Sequence, residues 1–306
     1  MKTSRIVVSF VILIAIGVAA YLTYPPFRLW ALVVAGRSPV CPMARAVECK
    51  ANMDEKIRIK DRMLAGSHLL KQDSGLELWS TPKGQFWIPK GNRYVLPFNL
   101  AEMEQHIYGT GEHFIHAGDV VLDCGANVGV FTRTALNRGA GLVVAIEPAP
   151  NTVECLRRNF EKEIAAGRVI VVPKGVWSRP DVLELAEGGD GNTTGDSFVL
   201  GRNQKNKVKV ALTTIDILAG ELKLRRVDFV KMDIEGAEKE ALRGGAETIR
   251  RYHPRMAIAA EHLPDDVPAI PQTVNAIWRG YSVRPSSCKD AFLSIHPEVL
   301  LFQPKS

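Results

Sequence analysis

The hydrophobic pattern begins with one long apolar run and then breaks into short ones. Residues 6–22 form an uncharged run of seventeen residues after Lys2 and Arg5, and residues 27–36 form a second, shorter apolar stretch. A run of that length is at the lower limit for a helix that crosses a bilayer. The pattern predicts a membrane anchor over residues 1–36, with a cleaved signal peptide as the alternative.

The orientation of this anchor depends on how the chain leaves it. Lys2 and Arg5 favour a cytoplasmic N-terminus, which would carry a single-pass domain out of the cytoplasm. A re-entrant hairpin bent at Pro25 and Pro26 would instead return the chain to the cytoplasm. The alternative is a single helix, with the second stretch lying in the membrane interface. We expect the hairpin, and therefore a membrane-anchored protein whose large domain is cytoplasmic.

Two segments separate the anchor from the main domain. Residues 37–74 carry frequent Lys and Arg, which favour either a basic juxtamembrane linker at an anionic leaflet or an ordinary solvated linker. Residues 75–118 combine aromatic residues with Gly and Pro, which predicts the short strands of an N-terminal lid. A helix is predicted over residues 101–114. Its Glu104 and Tyr108 could close over a ligand, or the helix could pack on the sheet edge.

Residues 119–306 alternate apolar segments typical of buried strands with segments of helical periodicity. The predicted core strands are residues 120–122, 143–146, 169–172, 229–232, 256–260, 278–283 and 298–302. Helices are predicted over residues 152–166 and 235–243. This alternation indicates an α/β fold with a Rossmann-like, mostly parallel sheet.

The charge of the chain is concentrated near its N-terminus. The 306 residues carry a net charge of +6, and 46% of them are apolar, which is ample for a packed core. Residues 1–62 hold ten Lys or Arg against four acids, which leaves 29 residues of each sign in the rest of the chain. The large domain is therefore neutral, and we expect no nucleic-acid partner.

The five cysteines show no spacing typical of a metal site, and their number is odd. They are Cys41, Cys49, Cys124, Cys155 and Cys288. We expect free thiols in a reducing compartment. Cys41 and Cys49 are near enough in sequence to pair if that segment lay outside the cytosol.

A glycine-flanked loop follows the first predicted core strand. Gly125 and Gly129, with Asn127 between them, would let the backbone run close to a bound nucleoside. The spacing lacks the third glycine of dinucleotide-binding loops, and Asp123 before the loop suits a cationic ligand better than a pyrophosphate. Glu147 ends the next strand, 24 positions after Asp123, which is about where a Rossmann-like unit places its ribose-binding acid. These residues predict a nucleoside site.

Two further motifs follow the loop in a fixed order. Residues 147–151 read EPAPN, with Leu156 and Asn159 after them, and residues 228–238 read DFVKMDIEGAE. Together with the loop they resemble the FkbM family of S-adenosylmethionine (SAM) dependent methyltransferases, over roughly residues 100–302. The resemblance implies a seven-stranded class I methyltransferase sheet, SAM as cofactor, and methyl transfer to the oxygen of a sugar, lipid-linked or secondary-metabolite hydroxyl.

The resemblance, together with the places of polar residues at the ends of the predicted strands, indicates roles for individual residues. Val176 lies beyond the third strand, at a place similar to the one that meets adenine in related methyltransferases. A hydroxyl acceptor needs a group that takes its proton, or a metal ion that activates it. The catalytic candidates are Asp233, Glu261 and His262, and the candidate ligands of a divalent metal are Asp233, Glu235 and Glu261. Glu261 and His262 are adjacent in an extended strand, so only one of them can face the site. A helix cap is the alternative role of Asp233, and Glu238 is expected at the surface or as a cap.

Two other functions remain open at this point. The chain could be a nicotinamide-dependent oxidoreductase, or a membrane-tethered nucleoside-binding protein without catalysis. The polar loop over residues 187–207 could recognise the acceptor or be a surface insertion. The expected partners are the membrane and a small-molecule, glycan or lipid-linked acceptor.

Overall fold

The computed structural model describes residues 2–186 and 207–305. Nearly all of the polar loop predicted for acceptor recognition or surface insertion lies outside these residues. The helices are α1 (Lys2–Thr23), α2 (Pro25–Val34), α3 (Met43–Ala46), α4 (Cys49–Ala65), α5 (Val95–Glu104), α6 (Val130–Asn137), α7 (Pro150–Asn159), α8 (Glu161–Ala165), α9 (Ile215–Glu221), α10 (Glu238–Arg243), α11 (Ala246–Tyr252) and α12 (Asp266–Ile277). The strands are β1 (His68–Asp73), β2 (Leu76–Thr81), β3 (Gly84–Pro89), β4 (Val120–Cys124), β5 (Leu142–Ile146), β6 (Val169–Val172), β7 (Gly175–Val176), β8 (Asp181–Ala186), β9 (Lys207–Thr213), β10 (Phe229–Met232), β11 (Arg255–Ala259), β12 (Tyr281–Pro285), β13 (Cys288–Asp290), β14 (Ile295–Pro297) and β15 (Val299–Pro304).

A seven-stranded sheet forms the centre of the fold, in the order β12-β15-β11-β10-β4-β5-β6. The strands from β11 to β6 pair in parallel, whereas β15 is antiparallel to both β11 and β12. The predicted mostly parallel sheet with antiparallel last strands is confirmed. The chain order reverses between β4 and its neighbours β5 and β10. In open α/β sheets, ligands bind at the carboxyl ends of the strands beside such a reversal.

Some predicted helices have different bounds. The helix predicted over residues 101–114 is instead α5, which ends at Glu104, and positive φ angles at His106 (55°) and Gly109 (126°) turn the chain after it. The helix predicted from residue 235 begins at Glu238, because Glu235 and Gly236 also have positive φ angles, 53° and 94°. Both changes place loop backbone where the prediction had helix.

The basic stretch over residues 37–74 is not a linker. Its α4 contacts α5, and its β1 pairs with β2 in a three-stranded antiparallel sheet that also contains β3. Lys56 on α4 is only 5% exposed and forms an ion pair with Glu298. Ile59 and Met63 are buried in the same core cluster as Val128 of the glycine loop. The stretch is therefore part of the folded domain.

The N-terminal helix α1 is the candidate anchor. Its segment Ile6–Thr23 has 18 residues and a mean hydropathy of 2.6, and none of it is buried in the protein. It is long and apolar enough to cross a membrane. A signal sequence would have the same properties.

The second apolar stretch, α2, packs on the domain. Leu29 and Leu32 are 2% and 4% exposed and lie in a cluster with Cys41, Cys288 and Ile295. A re-entrant hairpin would need these side chains in the lipid, so the structure does not support the hairpin hypothesis.

A disulfide bond joins Cys41 to Cys288, with 6.3 Å between their Cα atoms. The expectation of free thiols only is therefore wrong, and so is Cys49 as the partner of Cys41. Cys49, Cys124 and Cys155 are free and buried. The bond spans 247 residues of sequence, a pairing that spacing alone could not indicate.

Candidate functional site

A cavity of about 100 Å³ lies at the carboxyl edge of the central sheet, beneath α5. The residues that line it include Glu102, Tyr108, Gly125, Asn127, Glu147, Val176, Lys231, Asp233 and Glu235. The predicted residues Asn127, Glu147, Val176 and Asp233 therefore share one cavity.

Glu147 stands directly after β5 at one end of this cavity. Its Oε2 accepts the N–H of Asn127 at 3.0 Å, and its Oε1 accepts the N–H of Ala149 at 2.9 Å. Asn127 has a φ angle of 49°, and its Oδ1 accepts the N–H of Val128 at 2.7 Å. Backbone donors thus fix the carboxylate beside Val176. This arrangement fits a ribose-binding acid next to an apolar base pocket.

The two loop glycines are required by packing. At Gly125 (φ +77°) a Cβ would lie 1.9 Å from the carbonyl oxygen of Asp233, and at Gly129 (φ +90°) it would lie 2.2 Å from the Phe160 ring. Gly125 lines the cavity, whereas Gly129 does not. The reason for glycine therefore differs from the ligand clearance predicted from the sequence.

Gly125→Ala is expected to lower the thermal stability of the protein more than Gly167→Ala does. Gly167 also has a positive φ angle, +68°, but no atom lies within 4 Å of the Cβ that an alanine would add there. Both variants carry a similar left-handed strain of roughly 1–2 kcal/mol, so their difference isolates the contact with Asp233. Thermal unfolding followed by circular dichroism measures it, and equal midpoints for the two variants would contradict the packing role.

Asp123 lies beneath the cavity and does not line it. Its side chain is fully buried, its Oδ2 accepts the Thr132 hydroxyl at 2.6 Å, and its Oδ1 lies 3.4 Å from the Nζ of Lys231. The structure thus gives Asp123 no contact with the cavity in which it was predicted to bind the cofactor. Lys231 does line the cavity, and it donates to the Gly125 carbonyl at 2.7 Å. Sequence reasoning missed Lys231, although a lysine within an apolar strand signals a buried partner.

Asp233 follows β10 at the other end of the cavity. Its Oδ2 accepts the hydroxyl of Tyr108 at 2.7 Å, so Tyr108 does close over the site. Burial raises the pKa of Asp233, but Lys231, His262 and the Tyr108 hydroxyl outweigh it and hold the pKa below its ordinary value. Glu104, the other predicted lid residue, instead pairs with Arg62 and Lys83 and does not line the cavity.

His262 lies beside the acids at this end of the cavity without lining the cavity itself, and Glu261 does not line it either. The Nδ1 of His262 lies 3.0 Å from Glu238, and its Nε2 lies 3.5 Å from Asp233 and 3.6 Å from Glu235. Glu261 instead pairs with Lys289 at 2.9 Å. Glu238 is fully buried and so is not at the surface, but its Oε1 accepts the N–H of Ile234 at 3.0 Å just before α10, which fits the alternative of a cap.

The charges around His262 change its protonation. Burial lowers the pKa of His262, but its hydrogen bond to Glu238 and the charges of Asp233, Glu238 and Glu235 raise it to about 10. Burial raises the pKa of Glu235 to about 8, against the opposing charge of His262. Ligand atoms of Asp233, Glu235 and His262 lie within 4.8 Å of one another, close enough for one metal ion. Glu261 does not belong to that group.

Glu102 on α5 is a second residue that sequence reasoning missed. It lines the cavity, and its Oε1 lies 3.5 Å from the Nζ of Lys56. Burial raises the pKa of Glu102 to about 7, and Asp233 adds to this while Lys56 opposes it. No pattern in the sequence distinguished Glu102 from Glu104, because only the fold decides which of them turns inward.

Glu102→Gln is expected to reduce the loss of stability between pH 5 and pH 8. A carboxyl whose pKa is raised from 4.5 to about 7 in the folded state contributes stability below pH 4.5, and this is lost as the pH rises through 7. Glutamine cannot ionise, so the variant keeps this contribution. Urea unfolding at the two pH values measures the effect.

Glu104→Gln is the matched control for this experiment. Burial raises the pKa of Glu104, but Lys83 and Arg62 outweigh it and lower the pKa, so its contribution is lost only at acid pH. The difference between pH 5 and pH 8 should be unchanged. An equal response of the two variants would contradict the titration of Glu102.

The family model of the methyltransferase FkbM domain matches residues 123–283, which is more than half of the chain. The chain belongs to the FkbM methyltransferase family. This confirms the resemblance, and the family implies SAM as the cofactor. The match covers the glycine loop, the Glu147 segment and the Asp233 segment. No curated protein sequence matches this chain.

Several solved structures are similar to this FkbM chain at low sequence identity and with TM-scores below 0.5. An FkbM methyltransferase from Methylobacillus flagellatus KT is 16% identical, with a TM-score of 0.45, over 83% of this chain and 59% of that chain. Precorrin-6y C5,15-methyltransferase from Geobacter metallireducens GS-15 is 16% identical, with a TM-score of 0.37, over 72% of this chain and 94% of that chain. Fibrillarin from Aeropyrum pernix, in complex with natively bound SAM, is 12% identical, with a TM-score of 0.37, over 77% of this chain and 97% of that chain. This chain thus spans less than two thirds of the M. flagellatus protein.

Proposed function

We propose that this protein is a membrane-associated, SAM-dependent O-methyltransferase whose acceptor is a hydroxyl of a sugar, a lipid-linked molecule or a secondary metabolite. One observation carries the proposal: a nucleoside-type end with Glu147 and an acidic end with Asp233 open into the same cavity. The end with Glu147 suits SAM, and the end with Asp233 suits an acceptor that must lose a proton.

The residues present fit SAM. Glu147 would bind the ribose hydroxyls, Val176 would pack against the adenine, and the backbone at Gly125 and Asn127 would lie along the nucleoside. When bound, SAM supplies an electrophilic methyl group on a positively charged sulfur. An ionised Asp233 at the other end of the cavity suits that charge as well as the acceptor.

Methyl transfer is an in-line displacement, so these side chains mainly position the acceptor and manage its proton. Asp233 is ionised at neutral pH because its pKa is lowered, and it can accept the hydrogen bond of an acceptor hydroxyl in place of Tyr108. The acceptor oxygen would take the methyl group from SAM, which would leave as a neutral thioether, and Asp233 would take the hydroxyl proton. His262, with a pKa of about 10, is already protonated at neutral pH, which favours Asp233 as the base.

A metal-assisted form of the same reaction is the second version of the proposal. Asp233, Glu235 and His262 would hold a divalent ion, and Glu238 would orient the imidazole through Nδ1. The ion would lower the pKa of the acceptor hydroxyl. Chelator treatment separates this version from proton transfer to Asp233 alone.

The test of the function is incubation with methyl-labelled SAM and fractionated cell extract. We expect label in a lipid or glycan fraction. SAM binding without label in any fraction would instead support a binding protein without catalysis. Binding of NAD without binding of SAM would support the oxidoreductase.

We also propose that α1 anchors the protein in a membrane, on the basis of its length, its hydropathy and the absence of buried residues in its apolar segment. The cytoplasmic position of the catalytic domain stays a prediction, and two features weigh against it. The docking of α2 removes the hairpin that would return the chain, and a disulfide bond is typical of an oxidising compartment. Together with Lys2 and Arg5 before the apolar segment of α1, they favour the non-cytoplasmic side.

Alkylation of the cysteines after rapid denaturation of isolated membranes decides between the two sides. We expect Cys41 and Cys288 to react with an alkylating reagent in the denatured protein only after reduction, whereas Cys49 reacts without it. Mass spectrometry of the peptides reads the result. Full alkylation of Cys41 and Cys288 without reductant would restore the cytoplasmic prediction.

A further inference from the structure

A short hairpin near the C-terminus exposes two large apolar side chains at its tip. The strands β13 and β14 form the hairpin, and between them Phe292 is 45% exposed and Leu293 is 68% exposed. Phe292 also has a positive φ angle, 67°, which is rare for a bulky residue. A single exposed apolar residue needs no explanation. The pair of Phe292 and Leu293 does need an explanation, because the end of the anchor helix lies beside it.

The tip lies against the end of the anchor helix. The Tyr21 hydroxyl donates to the carbonyl oxygen of Phe292, and the two rings meet edge to face with 5.7 Å between their centroids. Arg28 on α2 lies over the Phe292 ring, 5.2 Å from its centroid, and its Nη2 lies 2.6 Å from Asp290. The hairpin is therefore fixed to the anchor at the level of Tyr21.

The base of the hairpin is fixed as well. Cys288 begins β13 and is bonded to Cys41, and Ile295 on β14 packs with Leu29 and Leu32 of α2. The tip cannot move away from the anchor without breaking this packing. Its position along the anchor therefore sets its depth in a bilayer.

Tyr21 is two residues before the end of the apolar segment Ile6–Thr23. At about 1.5 Å per residue, its Cα lies about 3 Å along the helix from that end. This is the level of the membrane–water interface, where Tyr and Trp are enriched. Tyr24 and Trp30, just beyond it, are 60% and 51% exposed, as an interfacial aromatic belt requires.

We propose that the Phe292–Leu293 tip inserts into the interfacial region of the bilayer that α1 spans, as a second membrane contact of the catalytic domain. The proposal rests on the proposed anchoring by α1. The partner is a phospholipid surface, because the tip is continuous with the anchor helix through Tyr21. Two contacts would fix the orientation of the domain on the membrane. With a single helix as anchor, the domain could rotate relative to the bilayer.

Site-specific labelling of the full-length protein in phosphatidylcholine vesicles tests the proposal. Leu293→Cys is labelled with an environment-sensitive fluorophore without reductant, because the native cysteines are buried or disulfide-bonded. We expect a blue-shifted emission that is quenched by lipids with a spin label at a shallow depth. Val182→Cys is the matched control: Val182 is 60% exposed on β8, and its label should keep a solvent-like emission without quenching.

Val11→Cys, in the middle of α1, reports on the anchor itself. Quenching at 11 but not at 293 would overturn the tip contact and leave the anchoring intact. No quenching at 11 would overturn the anchoring and the tip contact together. A blue shift at 293 that depends on protein concentration and not on lipid quencher would assign the tip to a contact between two copies of the chain, which also overturns the proposal.

Discussion

Replacing Asp233 with asparagine is expected to lower kcat on the order of 10²-fold or more, the range of a lost general base, with SAM affinity little changed. Asparagine keeps the size of the side chain and an oxygen that can accept the Tyr108 hydroxyl, but it cannot take a proton. The nucleoside end of the cavity, at Glu147, is left intact. Steady-state kinetics and calorimetric titration with SAM measure the two quantities.

Glu261→Gln is the control for this variant. The sequence also makes Glu261 a candidate, but Glu261 pairs with Lys289 and does not line the cavity, so turnover should be retained. Near-normal turnover of Asp233→Asn, with or without chelator, would contradict both versions of the mechanism and leave Asp233 a structural role.

Two further measurements distinguish His262 as the base from a metal ion that activates the acceptor hydroxyl. A base with a pKa of about 10 would give a rate that still rises with pH above neutrality, and His262→Gln would flatten that limb. Activity that disappears with chelator and returns with Mg²⁺ would favour Asp233 and Glu235 as ligands. A flat profile above neutrality without chelator sensitivity would favour proton transfer to Asp233 alone.

The central sheet could be predicted from the sequence because its strands are continuous apolar runs that end in polar residues. Parallel strands buried on both faces need that composition, and acids at their ends emerge at one edge. Glu147 and Asp233 were therefore located correctly. Asp123 lies beneath the cavity because it is still inside β4, where it pairs with Ala145 and Lys231, two residues before the level of Glu147 and Asp233.

The N-terminal quarter could not be predicted because its charges have partners far away in sequence. Lys56 belongs to a basic stretch whose composition indicates a juxtamembrane or solvated linker, but its partner Glu298 is 242 positions further on. The disulfide partner of Cys41 is likewise far away in sequence, because Cys288 is 247 positions further on. Composition within a window cannot show such contacts, so a packed helix was taken for a linker.

Lys231→Met is expected to destabilise the protein by about 3–5 kcal/mol, the usual cost of removing one partner of a buried ion pair. Asp123 is fully buried, and within the described residues its Oδ1 has no hydrogen-bond partner besides the nearby Lys231 ammonium at 3.4 Å. Burial lowers the pKa of Lys231, but Asp123 and Asp233 outweigh it and raise the pKa, so the lysine stays charged. Methionine fills a similar volume and leaves the Asp123 charge without compensation.

Thermal and urea unfolding of the full-length protein in detergent measure this loss, with two comparisons. Lys83→Met removes a lysine that is half exposed and pairs with Glu104 at 2.9 Å, and it should cost less than about 1 kcal/mol. Asp123→Asn combined with Lys231→Met should be more stable than Lys231→Met alone, because the uncompensated charge is gone and the two changes are not additive. A double variant no more stable than Lys231→Met would mean that the lysine stabilises the glycine loop through its bond to the Gly125 carbonyl and not through the charge of Asp123.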